Sequence, residues 1–141
     1  MAVQTTFMTG AGAKNYGVAK QHPGQEAEVV RYIDASANNL TSGDYYRLFY
    51  YEADTELIDF HVITETVEGA ADTVDITDNE TGTNVLVSNA DLNTDNNVAK
   101  QSSNIFKSAA GYVCVRPDAA IGTAKFWVSG KMKKYSTTVD R

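Results

Sequence analysis

A chain of 141 residues with 12 Lys and Arg against 18 Asp and Glu carries a formal charge of -6, which argues against nucleic acid as a direct partner because neutralising phosphates needs clustered cations. Its 43% hydrophobic and 21% charged content suits a folded chain, and the length suits one core that buries about two-thirds of the unfolded surface. The start lacks the charged and apolar runs of a signal peptide, and no apolar run reaches the roughly 18 residues of a membrane span, so cytoplasmic synthesis, a soluble product and no membrane partner are expected.

Residues 1–25 show neither helical nor strand periodicity. Gly10, Gly12, Gly17 and the breaker His22-Pro23-Gly24 predict an extended N-terminal arm ahead of a β domain spanning 26–141. Such an arm is either a frayed terminus or a segment that orders against a partner. Lys14 and Lys20 make it locally basic, and with Tyr16 they are its candidate partner-binding residues.

From Glu26 a period of two takes over. Glu28–Ile33 reads as a strand, followed by a turn-rich stretch to Gly43. Asp44–Tyr51 reads as the next, with Tyr46, Leu48 and Tyr50 on one face and Tyr45, Arg47, Phe49 and Tyr51 on the other. Aromatics and Arg bury large areas at low entropic cost, so Tyr45, Arg47, Phe49 and Tyr51 are candidate contact residues. The alternative is a register shifted by one, which puts those rings in the core.

Glu56–Thr66 is expected to turn Ile58, Phe60 and Val62 inward and Asp59, His61 and Glu65 outward. Ala71–Asp78 and Val85–Ser88 follow around an Asn79-Glu80-Thr81-Gly82 turn, and the three are expected to be antiparallel neighbours. The polar run Asn89–Asn104 reads as a crossing loop with a short strand near Val98. Gly111–Arg116 and Ala124–Tyr135 complete the pattern. In the last, inward Phe126, Val128 and Met132 leave Lys125, Trp127, Ser129, Lys131 and Lys133 outside, which makes Trp127 a further candidate contact. Seven or eight strands with two long loops predict an all-β fold: an antiparallel two-sheet sandwich of jelly-roll or Greek-key topology.

The residues that carry chemistry are sparse. Asp91-Leu92-Asn93-Thr94-Asp95 starts like a calcium loop, but Asn96 stands at the glycine position and Ser102 at the bidentate-Glu position. Asp72, Asp75, Asp78 and Glu80 read as a solvated edge and turn. His22 and His61 have no metal-ligand spacing, and no Gly-x-Ser-x-Gly elbow occurs. Cys114 is the single cysteine and is expected to be an inert thiol, so no internal disulfide is possible. No catalytic residue, metal or cofactor is assigned.

The segment order Ile33-Asp34-Ala35-Ser36-Ala37-Asn38, Ser42-Gly43-Asp44, Thr73-Val74-Asp75-Ile76-Thr77-Asp78, Asn84–Leu92 and Ala124–Gly130 resembles the small jelly-roll capsid decoration, or cement, proteins of tailed bacteriophages. Thr77 stands where that pattern commonly has Gly. The resemblance implies a non-enzymatic protein on the virion capsid surface that binds the major capsid protein, as a homodimer or homotrimer, and stabilises the shell. The alternative is a tail or fibre sandwich that stacks exposed aromatics on a host-surface glycan.

Overall fold

The computed structural model describes residues 3–7, 13–16, 26–100 and 104–135. Its strands are β1 (Val3–Phe7), β2 (Ala13–Tyr16), β3 (Glu26–Asp34), β4 (Tyr45–Tyr51), β5 (Thr55–Thr66), β6 (Thr73–Thr77), β7 (Val85–Asp91), β8 (Val98–Lys100), β9 (Ile105–Lys107), β10 (Gly111–Pro117) and β11 (Lys125–Lys134). They form two sheets, ordered β1-β4-β10-β6-β7 and β2-β3-β11-β5-β8, with β9 also paired to β5. Among the described residues every ladder is antiparallel except β1 on β4. The fold is an all-β sandwich, as the alternation predicts.

The topology departs from a run of neighbouring hairpins. β6 and β7 are paired, but β5 lies in the other sheet. The chain therefore crosses between layers after β5, because β5 is apolar on one face and must meet a second apolar face to bury it. Two stretches of the N-terminal segment are also strands, β1 at one edge of the first sheet and β2 at one edge of the second.

The inward faces of both sheets build one core. Leu48, Phe49, Val74, Ile76, Val113 and Val115 from the first sheet meet Ile33, Leu57, Phe60, Val62, Phe126 and Val128 from the second. Each such side chain contributes about 1.5–3 kcal/mol on burial. Phe49 and Phe60 touch across the layers with ring centroids 6.2 Å apart.

Two β-bulges set the outer surfaces. On β4, Phe49 pairs with Val113 and Arg47 with Cys114, so Leu48 is the extra residue. Its carbonyl turns to accept a 2.8 Å bond from buried Arg31 Nη1 of the opposite sheet. On β5, His61 pairs with Ser129 and Ile58 with Lys131, which leaves Asp59 and Phe60 opposite Gly130. Asp59 takes the left-handed conformation there, with φ 51°.

Candidate binding surfaces

The outer face of the first sheet carries an aromatic and arginine cluster. Tyr50 and Tyr112 are cross-strand partners whose rings meet edge-on at 5.3 Å. The Arg47 guanidinium lies 4.2 Å from the Tyr112 centroid, and that of Arg116 lies 5.7 Å from the Tyr45 centroid. Arg47 also grips Glu80, with Nε 2.6 Å from Oε2 and Nη2 3.2 Å from Oε1. That grip draws the β6–β7 loop over the face. The loop is self-braced, since Asn79 Oδ1 accepts from the Thr81 and Thr83 backbone N–H groups at 3.0 and 3.1 Å. Gly82, at φ 69°, comes so near that an added Cβ would sit 2.6 Å from the Tyr45 hydroxyl oxygen.

The Leu48 bulge corrects the expected face of β4. Tyr45 and Arg47 stay outward, but Phe49 is fully buried and Tyr51 is 2% exposed. Tyr50, expected on the same face as Leu48, is 43% exposed instead. One unpaired residue reverses the alternation from that point onward. Tyr51 donates its hydroxyl proton to the Asp78 carbonyl, and burial pushes its phenol pKa up.

Asp78 is likewise not a solvated turn residue. Its side chain is fully buried and paired with Lys107 at 2.5 Å, with Asn84 donating from its backbone and side-chain nitrogens at 2.9 and 3.0 Å. Cys114 points outward on β10 yet is buried, and desolvation raises its thiol pKa to about 12. The Asp91 carboxylate spends both oxygens locally, accepting from Asn93 N at 2.7 Å and Thr94 Oγ1 at 2.6 Å. Among the described residues no three His, Cys, Asp or Glu side chains converge as a metal site.

The outer face of the second sheet is organised differently. Trp127 lies outward, as expected, but half-buried against Tyr32, its direct cross-strand partner. The lysines of β11 face acids in register: Lys125 opposite Asp34, Lys131 opposite Glu28 and Lys133 opposite Glu26. The exterior is a mixed-charge ladder rather than a basic surface. On edge strand β2, Lys14 pairs with Tyr32 and Tyr16 with Val30. Lys20 lies outside the described residues.

Trp127 and the Tyr45–Arg47 cluster thus occupy opposite outsides of the sandwich, and one flat partner cannot cover both. Tyr50, Tyr112, Arg116 and Tyr32 are surface residues that sequence reasoning passed over. The alternation Tyr112, Cys114, Arg116 on β10 was the available signal, since Val113 and Val115 between them mark the core face.

No family model matches the chain, and no curated protein matches it. Among solved structures, a chain from the capsid of Ralstonia phage GP4 is similar, with a TM-score of 0.50 and 12% sequence identity over 84% of this chain and 90% of that one. At that identity the likeness is one of fold.

Proposed function

We propose that this chain is a non-enzymatic structural protein of a bacteriophage virion, a decoration or cement protein that binds the outside of the major capsid protein shell. The observation that carries the reading is the fold shared with a phage capsid chain over most of both lengths. The outer face of the first sheet supports it, because Tyr45, Arg47, Tyr50, Tyr112 and Arg116 have the composition of a binding hot spot. Tyr and Arg supply contact area there at little entropic cost, and the core beneath holds them still.

The function follows from linkage. A protein that binds only the assembled shell stabilises it by RT ln(1 + [L]/Kd), and repeated copies extend that gain over the particle. A homodimer or homotrimer would use the second outer face, with Trp127, or the β2 edge with Lys14 and Tyr16, for self-contact.

Co-sedimentation with emptied phage shells tests the reading. Replacing Tyr50 and Tyr112 together by Ser is expected to weaken shell binding by at least about 30-fold, the scale of a hot-spot loss of 2 kcal/mol or more. Unchanged occupancy would remove this face from the contact. Failure of the intact protein to bind shells, with binding to a glycan array, would replace the cement reading by the tail-module one.

A further inference from the structure

A cavity of about 380 Å³ opens on the outer face of the second sheet, lined by Glu28, Asp59, Phe60, His61, Lys100, Ser129, Gly130 and Lys131. The register explains the convergence. Ser129 on β11 pairs with His61 on β5, which pairs with Lys100 on β8. Lys131 is the next outward residue of β11, and Glu28 on β3 lies opposite it. The Asp59–Phe60 bulge draws Phe60 into the core beneath Gly130 and leaves a depression on the outside.

The hydrogen bonds place one proton on the ring, at Nδ1. His61 Nδ1 is 3.0 Å from the Asp59 carbonyl oxygen, and Nε2 is 2.7 Å from Ser129 Oγ. A carbonyl only accepts, so Nδ1 carries the proton. In the neutral ring Nε2 must then accept from the Ser129 hydroxyl. If Nε2 takes up a proton, the bond reverses. Nε2–H donates to Ser129 Oγ, and the hydroxyl proton is released to point into the cavity.

The charge of the lining changes in the same step. Lys100 and Lys131 make no ion pair with a described residue. With a neutral ring their charges cancel those of Glu28 and Asp59, and with a protonated ring one net positive charge remains. We propose that this cavity binds a carboxylate group and takes up one proton at His61 as it does so. The carboxylate accepts from the Lys100 and Lys131 ammonium groups and from the freed Ser129 hydroxyl, charge-assisted bonds stronger than neutral ones. The group belongs either to a small organic acid or to an acidic side chain of a second copy of this chain, and the second source rests on the self-contact through this face proposed above.

The test titrates the full chain with sodium acetate against sodium chloride at equal ionic strength, following the His61 ring protons by NMR. A saturable shift specific to acetate is expected, with affinity falling by about tenfold per pH unit on the alkaline side, as uptake of one proton requires. Ser129→Ala should weaken binding by about tenfold, and Lys100→Met with Lys131→Met should abolish it while the remaining amide spectrum stays intact. No saturation, an equal response to chloride, or an unchanged response in the double lysine variant would overturn the proposal. For the source, weakened self-association of the double variant in sedimentation identifies an acidic side chain of a second copy, and unchanged self-association with lost acetate binding identifies a small acid. If the intact protein fails to bind shells, the functional reading falls while the acetate result stands.

Discussion

Trp127 and Tyr32 face each other across the β11–β3 ladder with ring centroids 4.7 Å apart and planes tilted by 50°. The Tyr32 hydroxyl reaches on to Glu65 Oε1 at 2.9 Å, so three strands are tied through one stacked pair. Partial burial, with the Glu65 carboxylate second, pushes the Tyr32 phenol up to about 12, and the hydroxyl stays a donor at any working pH. Trp127→Ala is expected to cost about 1–2 kcal/mol, from the ring pair and the half-buried area together. Trp127→Phe should retain most of that. Urea midpoints at pH 7 check both, and equal losses for the two variants would show that stacking is not the source.

The Asp78–Lys107 pair predicts acid sensitivity with a definite sign. Burial alone would raise the Asp78 pKa, but the bonds from Lys107 and Asn84 outweigh it and hold the carboxyl below its ordinary value of 3.8. A depressed folded pKa gives stability that is full above the unfolded value and is lost as pH falls through the folded one. Lys107→Met should cost about 3–5 kcal/mol at pH 7, because it strands a buried carboxylate. As Asp78 protonates in acid the deficit should shrink, and a deficit independent of pH between 7 and 3 would rule the pair out as its cause.

Gly130 marks a close approach between the β5 bulge and β11. A Cβ there would lie 2.6 Å from Phe60 ring carbons, and Phe60 is fully buried with no room to retreat. Gly130→Ala is therefore expected to cost about 1–3 kcal/mol by overpacking. Phe60→Leu in the same chain should recover part of that loss, since the smaller side chain vacates the contact. The two costs must be non-additive in a denaturation cycle, and simple additivity would refute the contact.

The sequence shows clearly those parts of this fold that depend on strict alternation. β11 reads correctly along its length because no bulge interrupts Phe126, Val128 and Met132 against β3. β4 fails after Leu48 because a bulge is set by tertiary demand, here the Arg31 guanidinium reaching for a carbonyl of the other sheet. The Lys125–Asp34, Lys131–Glu28 and Lys133–Glu26 ladder becomes readable only once β3 and β11 are known to pair. Ser129 and His61 stand 68 residues apart, and nothing local in either segment announces the other. Outward Tyr45 and Arg47 were legible, but their partners Arg116 and Tyr112 depend on sheet order.

Cys114 gives a last test, since it belongs to the outer face of its strand yet is fully buried. Strand packing alone does not cover an outward position on a sandwich. The cover comes from neighbours: Arg47 lies over Tyr112 and is held there by Glu80, whose loop folds across the face. Burial puts the thiol at about 12, so almost no thiolate is present at pH 8 and reaction with a disulfide reagent requires the cover to open. Glu80→Ala removes the tether without touching Cys114, and the rate of reaction with Ellman's reagent is expected to rise by at least about tenfold, the effect of losing about 1.4 kcal/mol of closure. Glu80→Gln keeps a hydrogen-bond acceptor but loses the charge, so its rate should fall between the two. A Glu80→Ala protein as slow as the unaltered chain would mean that the β10 neighbours alone seal the thiol, and the loop would then have no part in shaping the proposed contact face.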